Sequence, residues 1–155
     1  MAKKPDFDIQ AAHKYFSAEC FNRAWDFMDK PIRKKNEDDM MLQLSLASLW
    51  HWTQRKDSTS TNLSISYWQV SRVFALLRQA EDARHYGELC LEVSQGEDVR
   101  AFYRGYAYEA LARAEMVAGN ENEMEKHLIQ AHQVAASLPD PEEMKQLLHD
   151  LATIR

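Results

Sequence analysis

The chain has 155 residues, a formal net charge of −5 and 45% hydrophobic residues, which is the balance of one ordinary globular domain. Four glycines and four prolines are too few for an all-β fold. The acidic balance opposes nucleic-acid binding, which requires excess positive charge. The N-terminus lacks the apolar core of a signal peptide, and the most apolar run, 40–52, is too short to span a bilayer. We therefore expect a cytoplasmic protein that binds neither nucleic acid nor membranes.

Apolar periodicity predicts a pair of helices in the N-terminal third of the chain. The first is expected from about Asp8, a plausible N-cap, to Met28, because Pro31 disfavours helical geometry in the residue before it. The second is expected to begin at Asn36, as its cap, and to end near Lys56. Its apolar side chains surround the helix, so it is predicted to be central and well buried.

Five further helices are predicted in chain order, over 63–78, 81–94, 99–117, 121–138 and 141–153. Gly119 suits the left-handed end of the fifth helix. Asp140 followed by Pro141 is a strong start signal for the seventh. No segment alternates strictly between apolar and polar residues, so we predict an all-α fold of about seven helices. Cys20 and Cys90 are expected to be small buried thiols in a reducing compartment, since neither belongs to a Cys-x-x-Cys pair.

Residues 63–138 contain an internal repeat. Each unit has two large residues, a small one and an aromatic at fixed positions on one helix, and small or apolar residues on the next; Glu115 takes the aromatic position in the second unit. In both units, 16 residues separate the first position of the two helices. The first unit consists of Tyr67, Val70, Ser71, Phe74, Ala83, Gly87 and Cys90. The second consists of Tyr108, Leu111, Ala112, Glu115, Met124, Leu128 and Ala131. Small residues let paired helices approach closely, and large ones fill the gap to the next pair.

This pattern resembles the tetratricopeptide-repeat (TPR) superfamily. The resemblance implies a right-handed superhelix of antiparallel helical hairpins, and a scaffold that binds proteins or peptides. From Tyr67 to Tyr108 the offset is 41 residues, whereas the family repeats every ~34 residues. We therefore expect one TPR-like domain over 1–155, with two lengthened hairpins at 63–138. The pair at 8–56 stands outside the register, and the helix at 141–153 is expected to cap the stack.

Three segments also resemble those of uncharacterised bacterial helical proteins. They are the residues around His51-Trp52, the segment Trp68-x-x-Ser-Arg72-Val and the segment Ala107-Tyr-Glu-Ala-Leu-Ala-Arg113-Ala. This resemblance implies no known activity.

The search for catalytic and metal-binding motifs favours a non-catalytic protein. The chain has no Glu-x-x-His, no His-Glu-x-x-His, no paired-cysteine pattern, no phosphate-binding loop and no Gly-x-Ser-x-Gly. His85 with Glu88 and Glu123 with His127 are spaced for one helix face, but no third ligand accompanies either pair. We therefore expect neither a metal nor a cofactor.

Two groups of residues are candidates for a binding site. The first lies on the second and third helices and comprises His51, Trp52, Tyr67, Trp68 and Arg72. It is either a ligand groove, in which Trp68 and Arg72 can stack as ring and cation, or an aromatic core with a satisfied histidine. The second lies on the fifth helix and comprises Arg100, Tyr103, Arg104, Tyr106 and Tyr108. It is either a grip for a peptide carboxylate or a solvated face.

Three functions stay open at this point. The TPR resemblance favours a protein- or peptide-binding adaptor. The alternative is a small-ligand binder or an enzyme that uses the region of His51, Trp68 and Arg72, since histidine titrates near neutral pH and arginine binds anions. Self-association as a homodimer is the third, because the open ends of a short stack of hairpins require polar caps or partners.

Overall fold

The computed structural model describes residue 3 and residues 5–155, and every regular element in this part of the chain is a helix. The seven helices are α1 (Ile9–Met28), α2 (Lys35–Gln54), α3 (Ser60–Leu76), α4 (Ala80–Ser94), α5 (Ala101–Ala118), α6 (Glu121–Ser137) and α7 (Pro141–Leu151). The prediction of an all-α fold with about seven helices is confirmed.

Three of the predicted helix boundaries are set by the residues expected to set them. The Asp8 carboxylate accepts hydrogen bonds from two first-turn amides of α1, and the Asp140 carboxylate accepts one from the Glu142 amide of α7. Gly119 ends α5 with φ 73°, in the left-handed region where a side chain is strained.

The start of α2 differs from the prediction of an Asn36 cap. The cap residue is Lys34, and its backbone N–H donates to the Glu37 side chain at 2.8 Å. Asn36 lies within the first helical turn. A glutamate three residues after the cap satisfies the cap amide, so the helix begins two residues earlier than expected.

Consecutive helices pack against each other as hairpins: α1 with α2, α3 with α4, and α5 with α6, while α7 packs on α5 and α6. The odd-numbered helices also contact one another in order, from α1 to α3 to α5 to α7. They form one layer, and the even-numbered helices pack on its outside. We call this the odd-helix layer. It brings side chains from four separate parts of the chain onto one face.

The most buried helix is α5, whereas α2 was predicted to be central and well buried. Every residue from 105 to 115 except Tyr108 is buried. In α2, by contrast, Met40 and Trp50 are 40% and 54% exposed. The reason is position: α2 contacts only α1 and α3, whereas α5 contacts α3, α4, α6 and α7. The prediction from the apolar side chains around α2 therefore overestimated the burial of this helix.

Gly105 allows α7 to dock closely on α5. A Cβ atom at this position would lie 2.5 Å from Leu147 Cδ2 and 3.1 Å from Val134 Cγ1, which is too close for an ordinary contact. Leu147 and Leu151 of α7 are fully or nearly fully buried in the same cluster. None of the helices in the described chain combines the length and the hydropathy that crossing a membrane requires.

Candidate binding cleft

A solvent-open cleft of about 270 Å³ lies between the four odd-numbered helices. We call it the aromatic cleft. Its lining consists of Trp25 from α1, Ser64, Ile65 and Trp68 from α3, Phe102, Tyr103 and Tyr106 from α5, and Gln146 and Asp150 from α7. Five of these nine residues are aromatic, and Asp150 alone carries a formal charge at neutral pH.

The aromatic rings of the cleft include one stacked pair and two pairs that meet at steep angles. Trp68 is stacked with Trp25, with ring centroids 5.9 Å apart and planes 27° apart. Tyr106 meets Trp68 edge to face at 85°, and Phe102 meets Tyr106 at 73°. Such edge-to-face contacts are favourable for aromatic quadrupoles. The walls formed by Trp68, Tyr106 and Phe102 are therefore close to perpendicular to one another in sequence.

A fully buried carboxylate, Glu109, lies behind this wall. Its Oε2 accepts a hydrogen bond of 2.8 Å from the indole N–H of Trp68. Its Oε1 accepts one of 3.0 Å from Arg72 Nη1 and one of 2.7 Å from Arg113 Nε. Two arginines thus face one buried carboxylate, and each buried charge has a charged hydrogen-bond partner.

The ion pair between Arg72 and Glu109 joins α3 to α5. Burial lowers the pKa of the Arg72 guanidinium, and the Glu109 carboxylate opposes that effect. Arginine nevertheless stays charged at neutral pH. The Trp68 indole N–H donates to the same Glu109 carboxylate. The ion pair between Arg72 and Glu109 therefore also holds the Trp68 indole in a single orientation at the wall of the cleft.

The floor at the α7 end is held by a second set of hydrogen bonds. The Tyr106 hydroxyl donates to Asp150 Oδ2 at 2.6 Å, and burial raises the pKa of this phenol far above its ordinary value. Arg113 Nη2 donates to the Asp150 carbonyl at 3.3 Å and to Thr153 Oγ1 at 2.8 Å. The last helix is therefore fixed to the same network that orients Trp68.

Of the predicted site residues, Trp68, Tyr103 and Tyr106 line the aromatic cleft. Arg72 lies behind it, in contact with Glu109. The expected stacking of Trp68 on Arg72 is replaced by a shared acceptor, because both side chains donate to Glu109.

The structure places His51, Trp52 and Tyr67 in other clusters. His51 Nδ1 lies 2.8 Å from Nδ1 of His13 on α1, and its ring stacks on Phe16. Burial and the proximity of His13 lower the pKa of His51. His51 therefore does not share a site with Trp68 and Arg72.

The other two side chains pack on separate surfaces. The Arg55 guanidinium carbon lies over the Trp52 ring, 3.8 Å from the ring centroid. Tyr67 packs against Tyr86 in the core of the second hairpin. Neither residue lines the aromatic cleft.

The two arginines at the start of α5 do not form the predicted carboxylate grip. Arg100 Nη2 already contacts both carboxylate oxygens of Glu143, each at 2.7 Å. Arg104, one turn later, is half-buried and does not line the cleft. Of this group, Tyr103 and Tyr106 line the cleft.

Sequence reasoning missed five residues that build the site, namely Trp25, Phe102, Glu109, Arg113 and Asp150. A signal existed for two of them. Glu109 and Arg113 are four residues apart within a run of alanines, and charges at that spacing on a buried helix face are expected to pair. Asp150 carries no such signal, because its role depends on where α7 docks.

No group of three histidine, cysteine, aspartate or glutamate side chains within the described residues is arranged to hold a metal ion. The chain was also compared with known proteins. No family model, no curated protein and no solved structure matches it.

Proposed function

We propose that this chain is a TPR-like protein-binding scaffold that seats a segment of a partner on the odd-helix layer. The observation that carries the proposal is the aromatic cleft, to which all four odd-numbered helices contribute side chains. Stacked helical hairpins use the face of their first helices as an extended binding surface. One side chain of the partner would occupy the cleft as its anchor.

The composition and size of the cleft support a side-chain anchor. Tryptophan and tyrosine are the residues that most often dominate binding energy at protein interfaces. The volume of about 270 Å³ lies below the ~300–1,000 Å³ typical of sites for drug-sized ligands. A single long side chain suits this space better than a large cofactor.

The rigidity of the cleft supports the same proposal. Trp68 is held by Glu109, and Tyr106 is held by Asp150. Preorganised groups lose little conformational freedom when a partner binds, so more of the contact energy appears as affinity. The small-ligand or catalytic alternative has no comparable support, since His51 lies outside the cleft.

The two cysteines support a cytoplasmic location for this activity. Both are free thiols in the structure, and Cys90 is fully buried. A reducing compartment keeps such thiols unpaired. We propose that the scaffold acts in the cytoplasm.

A peptide-display selection tests the proposed function. Random peptides selected on the wild-type protein are expected to lose roughly tenfold or more in affinity for Phe102→Ala, which removes a cleft wall without breaking a hydrogen bond. The matched control is Trp50→Ala, an exposed aromatic on α2 that does not line the cleft. This control should retain the affinity. Peptides that bind both variants alike, or a selection that enriches none, would contradict the proposal.

A further inference from the structure

We infer that the anchor bound in the aromatic cleft is the ammonium group of a lysine side chain from the partner. The inference rests on the proposed function, and it adds the chemistry of the occupant. It combines three observations: the charge of the lining, the arrangement of the rings, and the size of the space.

The lining attracts a cation. Asp150 is its one charged residue, and no lysine or arginine lines it. One carboxylate oxygen of Asp150, Oδ2, accepts from Tyr106, and within the described residues no hydrogen-bond donor occupies Oδ1. The charge of Glu109 is offset by Arg72 and Arg113, which both contact its Oε1. Asp150 therefore supplies the carboxylate that a side chain bound in the cleft would contact.

The rings supply the second attraction. A cation is stabilised over the face of an aromatic ring, with tryptophan the most favourable. Trp68 and Tyr106 both donate a hydrogen bond to a carboxylate. Such a bond polarises the donor, so electron density in these two rings increases and their attraction for a cation strengthens.

The geometry favours lysine over other anchors. Walls close to perpendicular contact a compact ammonium on more than one side, whereas a planar guanidinium stacks on a single face. An aromatic anchor cannot enter between Trp25 and Trp68, because their centroids are only 5.9 Å apart and a third ring would require roughly twice the ~4.5 Å minimum between stacked rings. The apolar stem of lysine would lie along the aromatic walls.

The test uses three pentapeptides that differ only at the central residue: lysine, trimethyllysine or norleucine, each flanked by glycines. Norleucine keeps the apolar stem and lacks the charge. The readout is the set of tryptophan indole N–H signals in NMR spectra of the full chain. We expect both cationic peptides to bind roughly tenfold more tightly than the norleucine peptide. The signals of Trp25 and Trp68 should shift, while those of Trp50 and Trp52 should not.

A charge-removing variant provides the second arm. Asp150→Asn retains an oxygen acceptor for Tyr106 and removes the negative charge, so lysine affinity should fall roughly threefold to tenfold, and by a clearly larger factor than norleucine affinity. The control is Asp82→Asn, an exposed aspartate on α4 outside the cleft. This variant should bind like the wild type.

The outcomes separate the inference from the proposed function. Norleucine binding equal to that of lysine would overturn the inference and leave an apolar anchor, so that the scaffold proposal stands. No binding by any of the three peptides, or shifts confined to Trp50 and Trp52, would also overturn the inference. The display selection then decides the scaffold proposal by itself. The comparison of lysine with norleucine on the wild-type protein does not depend on any variant folding.

Discussion

Arg72 and Glu109 belong to different hairpins, and a hydrogen bond of 3.0 Å between Arg72 Nη1 and Glu109 Oε1 joins them behind the aromatic cleft. The carboxylate is fully buried, and Arg113 contacts the same oxygen. Breaking a buried ion pair leaves uncompensated charge in a medium that solvates it poorly. The stability of the stack and the shape of the cleft therefore depend on one carboxylate.

The first prediction concerns this carboxylate. Glu109→Gln leaves the guanidiniums of Arg72 and Arg113 close together without a counter-charge, so we expect the free energy of unfolding to fall by about 3–5 kcal/mol. Urea denaturation followed by circular dichroism measures it. The control is Glu143→Gln, which removes the partner of the exposed Arg100 and should cost less than ~1 kcal/mol. Equal losses in the two variants would show that burial of the Glu109 cluster has no special energetic role.

The second prediction concerns the docking of α7. Gly105→Ala places a methyl group against Leu147 and Val134, and overpacking of this kind costs about 1–3 kcal/mol. Hydrogen exchange in α7 should become faster in this variant. Gly119→Ala is the comparison: its methyl group meets no atom within 4 Å, but its φ is 73°. It should lose stability through backbone strain without a selective change in α7. Unchanged exchange in α7 of Gly105→Ala would contradict this prediction.

The third prediction is a loss of stability in mild acid. Burial and His13 lower the pKa of His51, so the unfolded chain binds that proton more readily than the folded chain. The contribution of neutral His51 to the free energy of unfolding is complete above the unfolded pKa of ~6.5. It is lost as the pH falls from there toward the lower pKa of the folded chain. Burial also lowers the pKa of His127, which acts in the same direction.

Urea denaturation at about pH 7.5 and about pH 5.5 brackets this window. His51→Phe retains an aromatic ring beside Phe16 and removes the titrating group, so it should reduce the difference between the two free energies of unfolding. Adding His127→Gln should reduce it further. If His51→Phe keeps the full wild-type difference, the histidine pair is not its source.

The fourth prediction concerns thiol reactivity. Burial raises the pKa of the Cys90 thiol to about 12, and its side chain has no exposed surface. In a Cys20→Ser variant, Cys90 should not react with Ellman's reagent at about pH 8, because the reactive species is the thiolate. Reaction should appear with increasing urea, in parallel with unfolding. Cys20 is half-buried. The Cys90→Ser variant, in which Cys20 is the remaining thiol, should therefore react faster than the Cys20→Ser variant, in which Cys90 remains. Rapid reaction of Cys90 without denaturant would contradict the burial.

Local signals were sufficient to predict the helices. Asp8, Gly119 and Asp140 act within one turn of their own backbone, and the apolar spacing reports which face of each helix is buried. The failure at Asn36 was equally local, since Glu37 satisfies the amide of Lys34 more directly. These predictions required no knowledge of how distant parts of the chain meet.

The site was predictable only in part, because its geometry is set by contacts between hairpins. Trp68 and Tyr103 were singled out from their residue types, and both line the cleft. The sequence could not show that Trp25 stacks on Trp68, or that Asp150 meets Tyr106 across 44 positions. His51 was grouped with Trp68 because they lie on consecutive helices. In the structure the end of α2 places His51 against His13 instead.

The α7 contacts limit how far this chain can be rearranged. Arrays of helical repeats tolerate the insertion or deletion of whole units, because each unit contacts only its neighbours. Here the aromatic cleft takes side chains from α1, α3, α5 and α7 together. A hairpin inserted between α1 and α7 would separate Trp25 from Asp150, and the loss of a hairpin would remove side chains that line the cleft. The hairpins that build the cleft are therefore not interchangeable units. Their number is part of what determines which partner the cleft can bind.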